Sequence, residues 1–166
     1  MAIRTIITEP NKLLRQISKP VNSVGKEEQK LMDDMLETMY SANGIGLAAP
    51  QIDIHKRIIV VDVVGKNGDP QPLCMVNPEI IEASDEDVAH DEGCLSLPEN
   101  FSEVIRPTSV RVSYLNRENK LCELDANGIL GVCIQHEIDH LDGILFVDHI
   151  SSLKRNMILR KLIKLK

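Results

Sequence analysis

The segment from residue 125 to residue 141 combines two properties that are hard to satisfy together in a folded chain. Apolar residues lie on nearly every side of the helix that this segment predicts, namely Ile129, Leu130, Val132, Cys133, Ile134, Ile138 and Leu141. The same helix carries His136, Glu137, Asp139 and His140. Such polar groups are costly to bury unless they are paired or bind an ion. We therefore expect a helix buried inside the domain and ended by Gly143, whose polar groups have a function.

The rest of the chain predicts strands as well as helices. A first helix is expected within 25–44, where acidic residues follow Gly25 and apolar residues then recur every four positions. The apolar runs at 57–64 and 75–81 predict strands. In 110–124, apolar and polar residues first alternate and a polar turn then follows, which predicts a β-hairpin. A last helix is expected at 152–166. The predicted fold class is α+β, with antiparallel strands packed around the buried metal-binding helix and a C-terminal helix.

Length and composition predict one globular domain that spans residues 1–166. Of these residues 43% are hydrophobic and 27% are charged, which is typical of a globular chain. The first residues show no secretory signal, and no segment approaches the roughly 18 apolar residues of a membrane helix, so we expect a cytoplasmic protein without a membrane partner. The four cysteines form no CxxC pair and are expected to be reduced thiols.

Charge is distributed unevenly along the chain. The formal net charge of -6 is modest and argues against a general nucleic-acid binder. Residues 67–105 contain ten acidic residues and no Lys or Arg, whereas 149–166 contain six basic residues and no acidic one. These two segments could be a solvated loop region and a solvated last helix, and this interpretation accounts for their charges as well as functional surfaces would.

The sequence QHEIDHLDG at 135–143 contains the HExxH pattern of zinc hydrolases. Its two histidines lie one helical turn apart on one face, where both can bind one ion, and its glutamate serves as general base. A third ligand must come from elsewhere. The superfamily with HExxHxxGxxH is disfavoured because Phe146 stands at the position of its last histidine. No glutamate follows Glu137 that would act as third ligand instead.

Several residues are candidates for the third ligand. They are Asp142, Asp148 and His149 downstream, and His55, His90 and Cys94 upstream. Cys94 is favoured because Gly93 beside it lets the backbone approach the ion closely and present a thiolate. An isolated cysteine is nevertheless more often a buried, inert side chain. Spacing alone therefore leaves the choice open.

Three separated motifs together resemble a known family. GIGLAAPQ at 44–51, EGCLSLP at 92–98 and QHEIDHLDG at 135–143 resemble, in this order, the three signature motifs of peptide deformylase. That family removes the formyl group from the N-terminal formylmethionine of new bacterial or organellar polypeptides, and the motif spacing fits essentially the whole chain. The resemblance implies a metal-dependent hydrolase that acts in protein biosynthesis. Leu97 stands where the family commonly has Val or Ile, a small change of side-chain shape.

The resemblance also implies roles for individual residues. The implied metal ligands are Cys94, His136 and His140, with water in the fourth position. Glu137 would be the general acid/base, and Gln51 and the backbone N–H of Leu95 would polarise the formyl oxygen. Without the motif, Gln51 would be interpreted as a surface amide after a turn. The expected cofactor is Fe(II), with zinc, nickel or cobalt as substitutes.

Substrate contacts are expected from the Gly-rich loop that contains Gly44, Ile45 and Gly46. This loop follows a helix and has Ala at position 49, so it lacks the GxGxxG phosphate fingerprint, and it would instead pair with an extended peptide like an added strand. Further contacts are expected from Ile129, Val132 and Cys133. With Ile45 they would line an apolar pocket for the methionine side chain, although ordinary core packing explains them equally well.

Supporting contacts are expected around these ligands. The resemblance implies that Glu92 supports the cysteine loop, and an ion pair with Arg106 would brace it. Asp139, on another side of the helix, would serve structure or orient a histidine.

The expected partners are N-formylmethionyl nascent peptides and the ribosome. The basic residues of the last helix would bind near the exit tunnel, namely Lys154, Arg155, Arg160, Lys161, Lys164 and Lys166. The protein is expected to be a monomer. Two alternatives remain, a small zinc metallopeptidase that cuts internal peptide bonds and a non-catalytic ribosome-associated module with a structural metal.

Overall fold

Seven strands and three α-helices form the chain in a computed structural model that describes residues 2–64 and 68–164. The strands are β1 (Gly46–Ala48), β2 (Ile58–Val61), β3 (Leu73–Ala83), β4 (Asp87–Cys94), β5 (Leu97–Pro107), β6 (Ser109–Leu115) and β7 (Leu121–Asn127). The α-helices are α1 (Lys26–Ser41), α2 (Gly128–Leu141) and α3 (Ser152–Lys164). Short 3₁₀ helices cover Lys12–Arg15, Ala49–Ile52 and Phe146–His149. The predicted α+β class is confirmed.

Five of the strands form one antiparallel sheet in the order β1-β2-β3-β6-β7. The predicted hairpin is confirmed as β6 and β7, where Tyr114 lies opposite Cys122 and Asn119 turns the chain with a φ of 63°. The predicted strand at 57–64 is shorter in the structure, and the one at 75–81 is longer. Both differences lie at strand ends, which pairing with neighbours decides.

The acidic segment forms strands, so its interpretation as a solvated loop region is wrong. Strands β4 and β5 pair only with each other and make a separate two-stranded sheet. Their acidic residues Asp87, Asp91, Glu99 and Glu103 are exposed, whereas Val104 and Arg106 are buried. One face of the hairpin is therefore solvated and the other packs on the domain.

Helix α2 is buried in the middle of the fold, as predicted. It contacts β1, β2, β6 and β7, and Ile134 and Leu141 on it are fully buried. The turn after the helix requires glycine at Gly143, because its φ is +74° and a Cβ built there would lie 2.4 Å from the carbonyl oxygen of Arg15. The helix thus ends against the N-terminal segment of the chain.

The five-stranded sheet is buried on both faces near β2. Ile59 and Val61 pack in the cluster that contains α2 residues, whereas Ile58 and Val60 pack in the cluster that contains α1 residues. This explains why the β2 segment is continuously apolar instead of alternating.

A third apolar cluster joins α3 to the β4–β5 sheet. Ile158 and Leu162 of α3 pack with Phe146 and with Val104 of β5. The basic residues of α3 up to Lys164 belong to the described helix, and the predicted contribution of Lys166 lies outside the described residues. Within 2–64 and 68–164 no helix is long and apolar enough to cross a membrane.

Candidate metal and active site

Cys94, His136 and His140 lie together although they come from two different elements. Cys94 is the last residue of β4, and the two histidines lie one turn apart on α2. One possible ligand atom from each residue lies within 4.8 Å of the others. The Sγ atom of Cys94 is 3.3 Å from Nε2 of His140, and the two imidazole centroids are 5.1 Å apart. Three soft or borderline ligands thus face one point.

The donor set at this point suits a divalent transition-metal ion. A thiolate and two imidazoles are ligands of zinc, iron, nickel and cobalt, and three protein ligands leave a position for water or substrate. The Nδ1 atom of His136 is 2.9 Å from Oε1 of Glu92, which leaves Nε2 for an ion. The Nδ1 atom of His140 is buried and has no hydrogen-bond partner among the described residues.

Protonation of the two histidines differs because their surroundings differ. Burial holds the pKa of His140 well below its usual value, so this imidazole is neutral and able to bind an ion. Burial would also lower the pKa of His136, but hydrogen bonds with Cys94 and Glu92 outweigh it and raise that pKa well above normal. An ion at His136 therefore competes with a proton.

Glu137 has the properties expected of a proton carrier near pH 7. Its side chain is buried, and its Oε1 atom has no hydrogen-bond partner among the described residues. Burial raises the pKa of this carboxyl group to about 7, although the positive charge of His136 opposes the rise. A carboxyl group with such a pKa takes up and releases protons at physiological pH.

Gln51 is buried beside the cysteine loop, so its interpretation as a surface amide is wrong. Its Nε2 atom lies 3.0 Å from Ser96 Oγ and 3.6 Å from Cys94 Sγ, while its Oε1 accepts a hydrogen bond from the Ala48 backbone. The 3₁₀ turn at Ala49–Ile52 that carries it receives a backbone hydrogen bond from Ile7. The amide group is therefore held with its donor side toward Cys94.

Leu95 follows Cys94 at the tip of the β4–β5 hairpin and lines the same cavity as Gln51. Its side chain packs against Gly44, where a Cβ would lie only 2.7 Å from Leu95 Cδ1. Contact between Gly44 and Leu95 thus holds the Gly-rich loop against the cysteine loop.

A buried network of charges supports His136. Arg106 donates to both oxygens of Glu92, with 2.9 Å between Nη2 and Oε1, and Nη1 lies 2.9 Å from Oδ2 of Asp139. His149 also contacts this Asp139 oxygen, at 2.8 Å. Burial would raise the pKa of Glu92, but hydrogen bonds from His136 and Arg106 lower it to about 2. The predicted Glu92–Arg106 pair is confirmed, and Asp139 pairs with Arg106 and His149.

Two cavities adjoin these groups. The larger, of about 440 Å³, is lined by the predicted loop residues Gly44, Ile45 and Gly46 together with Gln51, Leu95 and Glu137. The smaller, of about 120 Å³, is lined by Ile45, Ile129, Val132 and Cys133, which were all predicted to contact substrate, and also by Glu92. His136 and Glu137 line both cavities, so a molecule that occupies them lies against the candidate metal site.

The rival ligands lie outside the cluster. His55 pairs with Asp53, Asp142 with Arg57 and Asp148 with Arg15. His149 pairs with Asp139, as described above, and His90 lines the smaller cavity from β4. In the part of the chain that the structure describes, only Cys94 joins the two histidines.

Comparison with known proteins decides the family. The family model for polypeptide deformylase matches residues 3–156. The chain belongs to the peptide deformylase family. It is 54% identical over 166 residues to the peptide deformylase of Pelagibacter ubique, a match that covers 100% of this chain and 96% of the relative. As a member of this family the chain is an enzyme, a peptide deformylase that acts on peptides.

Solved deformylase structures agree with the fold described above. The peptide deformylase of Ehrlichia chaffeensis in complex with actinonin has a TM-score of 0.95 and 40% identity, with 100% of this chain and 99% of that chain covered. A peptide deformylase from Legionella pneumophila has a TM-score of 0.92 and 45% identity, with 99% and 95% covered.

Two features of this deformylase site were not predicted from sequence. Ser96 is fully buried and contacts Gln51, and its place two residues after Cys94 in the second motif was the available signal. The bridge from Arg106 to Asp139 and His149 had no local signal, because the three residues come from β5, α2 and the following 3₁₀ helix.

Proposed function

We propose that this chain is a metal-dependent deformylase that removes the N-formyl group from the N-terminal formylmethionine of newly synthesised polypeptides. One observation carries the proposal. A donor set of one cysteine sulfur and two imidazoles lies beside a buried carboxyl group, Glu137, whose Oε1 has no partner among the described residues. The proposed cofactor is Fe(II), bound by Cys94, His136 and His140, with zinc, nickel or cobalt as substitutes. We also propose that residues 1–166 act as a single catalytic domain.

A formamide is a poor electrophile, so hydrolysis needs both a strong nucleophile and stabilisation of the oxyanion. A divalent ion held by these ligands supplies Lewis-acid activation of water near neutral pH. Glu137 accepts the proton of the attacking water at its carboxylate and later donates it to the leaving amine. The pKa of about 7 lets it perform both transfers at neutral pH. The Nε2–H group of Gln51 and the backbone N–H of Leu95 donate to the formyl oxygen as negative charge develops there.

The two cavities suit the two parts of the substrate. The methionine side chain would occupy the smaller cavity, whose apolar wall is formed by Ile129, Val132 and Cys133 with Ile45. The peptide that follows would lie along the larger cavity, beside the loop that contains Gly44 and Gly46. Glu92 would act from behind His136 and hold its imidazole in a fixed orientation.

The decisive experiment is turnover of formyl-Met-Ala under anaerobic conditions, with the bound metal quantified in the same samples. The wild-type protein should contain about one iron and release formate, whereas C94A should lose both metal and turnover. C122A is the matched control, since Cys122 lies on β7 away from the cluster. E137Q should keep metal but lose about 100-fold to 10,000-fold in turnover. Full activity of C94A would refute the ligand assignment.

An internally cleavable peptide separates this proposal from the metallopeptidase alternative. Cleavage of an unformylated peptide at an internal bond, with metal retained in C94A, would favour that alternative. Full biological function of E137Q would instead favour the non-catalytic module.

We propose in addition that the protein is a cytoplasmic monomer and that α3 contacts the ribosome near the exit tunnel. Lys154, Arg160, Lys161 and Lys164 are exposed on α3, whereas Ile158 and Leu162 are buried. Deleting the helix would therefore open the core, and charge reversal is the better test. K161E/K164E should weaken co-sedimentation with ribosomes at low salt and leave turnover of a short formylated peptide intact. Unchanged co-sedimentation would remove this proposal.

A further inference from the structure

The Gly-rich loop is bordered by cavities, so close packing does little to hold it. Gly44 and Ile45 line the larger substrate cavity and also a further cavity of about 220 Å³. Ile45 lines the smaller substrate cavity as well, and 42% of it is exposed. A segment that borders empty space forfeits many of the van der Waals contacts that fix a core residue. The position of this loop therefore depends strongly on its polar contacts.

Asp62 holds Ile45 from the end of β2. It is buried and directly follows that strand. Its backbone N–H donates to the Ile45 carbonyl at 2.8 Å. The Cys133 thiol of α2 donates to the same carbonyl, with 3.6 Å between Sγ and the oxygen. Ile45 is thus tied both to the residue after β2 and to the helix that carries two candidate metal ligands.

The Asp62 carboxylate is itself fixed by three donors. The Tyr40 hydroxyl donates to Oδ2 at 2.6 Å, and the backbone N–H of Gln71 donates to the same oxygen at 3.1 Å. The backbone N–H of Val64 donates to Oδ1 at 3.1 Å. Partial burial and the hydrogen bond to Asp62 raise the pKa of Tyr40 above its usual value, so the phenol stays protonated and donates at neutral pH.

Tyr40 lies at the other end of the loop, in the last turn of α1. The backbone N–H of Asn43 donates to the Tyr40 carbonyl, and that of Gly44 donates to the Met39 carbonyl. The hydrogen bond between Tyr40 and Asp62 therefore joins the helix end where the loop begins to the residue that holds Ile45. Both anchors of the loop are linked through this one side-chain contact.

We propose that Tyr40 and Asp62 are positioning residues that hold the Gly-rich loop in its substrate-binding conformation. The inference rests on the proposed function, since it names what positions a substrate contact of the same site. Neither side chain lines the two substrate cavities, so both would act through Ile45. A contact that binds substrate and transition state equally changes KM and leaves kcat unchanged when it is lost. Loss of one hydrogen bond should raise KM about threefold to tenfold.

The experiment measures deformylation of formyl-Met-Ala-Ser by metal-loaded wild-type, Y40F and Y114F proteins, together with hydrogen exchange of the Asp62 amide. Y40F removes only the hydroxyl. Its KM should rise by the factor above, its kcat and metal content should stay close to wild type, and the Asp62 amide should exchange about threefold to tenfold faster. Y114F is the matched control, because Tyr114 is the other tyrosine of the chain and lines neither substrate cavity. It should match the wild type in every measurement.

Variants at Asp62 test whether the two residues act through one contact. D62A should raise KM at least as much as Y40F, and D62N should recover part of the loss because its amide oxygen can accept the Tyr40 hydroxyl. The KM of Y40F/D62A should stay close to that of D62A, since the hydroxyl has already lost this acceptor. Additive effects would show that the residues act independently and would overturn the proposal. Should D62A not fold, the comparison of Y40F with Y114F still decides.

Two further outcomes would overturn the positioning role. One is a wild-type KM in Y40F, with or without faster exchange at Asp62. The other is a fall of kcat and metal content in step with Tm at unchanged KM, which is the result of a purely structural role. If metal-loaded wild-type protein does not deformylate formyl-Met-Ala-Ser, the proposed function fails, while exchange at Asp62 still tests whether Tyr40 holds the loop. If it does and only the KM of Y40F is unchanged, the positioning role alone fails.

Discussion

Replacing Gly46 with alanine is expected to reduce turnover by displacing Glu137. Gly46 lies in β1 with ordinary extended backbone, so the main chain accepts alanine. A Cβ built at this position would lie 2.4 Å from Glu137 Oε2 and 2.8 Å from Cys133 Sγ. Unstrained contacts of a Cβ begin at about 3.4 Å, so the carboxylate must move by about 1 Å.

The expected loss of turnover in G46A follows from how strictly a catalytic group must be positioned. A misplacement of about 1 Å typically costs about 100-fold in rate, which corresponds to about 2.7 kcal/mol of transition-state stabilisation. The loss of folding stability should be smaller, about 1 kcal/mol, because the two crowded atoms, Glu137 Oε2 and Cys133 Sγ, both lie at side-chain ends. The three atoms nearest to this Cβ belong to Glu137 and Cys133, and none of them belongs to a candidate metal ligand.

Steady-state kinetics on formyl-Met-Ala, metal analysis and thermal denaturation together test this reasoning. G46A should lose about 100-fold in kcat and keep its metal and its Tm within a few degrees. G25A is the control, since a Cβ at Gly25 has nothing within 4 Å. Wild-type kcat in G46A would show that Glu137 is not the proton carrier. Loss of metal in G46A would show that the methyl group acts on the ligands instead.

Three further predictions concern the supporting structure. Gly143→Ala should lower the free energy of unfolding by about 2 kcal/mol or more in urea titrations, because the residue has φ +74° and a Cβ would meet backbone. Arg106→Leu should weaken metal affinity about 10-fold to 100-fold by equilibrium dialysis, since Glu92 then loses the partner that fixes it on His136; unchanged affinity would contradict this. Burial would raise the pKa of Asp34, but hydrogen bonds from Arg4 and Ala2 lower it, so its stabilising contribution is present at neutral pH and is lost as pH falls below about 4. Asp34→Asn should therefore destabilise the protein more at pH 7 than at pH 3 in chemical denaturation, and an equal loss at both values would refute the linkage.

Helix α2 and the β6–β7 hairpin could be predicted from sequence because their signals are local. In α2 the apolar residues and the HExxH pattern lie within one segment. In the hairpin, apolar and polar residues alternate at 110–114, which indicates a strand with one buried face. The β4–β5 sheet has no comparable signal. Its outward face carries acidic residues and its inward face includes Glu92 and Arg106, so the pattern is not one of polar and apolar alternation. The buried charges there are explained only by their pairing across elements.

The burial of Gln51 could not be predicted from the local sequence pattern either. The surrounding sequence is a turn, and turns are usually solvated. Its burial results from nonlocal contacts, since the backbone of Ile7 donates to the Gln51 carbonyl and Ser96 contacts its side chain. The motif at 44–51 identifies Gln51 as a candidate site residue, but only the tertiary structure shows that its amide donors point toward Cys94.

The candidate site is formed by a rigid helix, α2, and by the β4–β5 sheet, which would have little stability by itself. Helix α2 is held in the core and carries two candidate ligands and Glu137, whereas Cys94 ends a two-stranded sheet of a kind that is barely stable by itself. Contacts that fix that sheet on the rest of the domain include the apolar packing of Leu97 and Val104 with Phe146, the hydrogen bond from Glu9 N–H to the Ser96 carbonyl, and the Arg106 bridge to α2. The first excludes water, and the last aligns Glu92 with His136. The distance between the thiol and the imidazoles is therefore set by contacts that none of the three motifs contains in full, because Arg106, Val104 and Phe146 lie outside them.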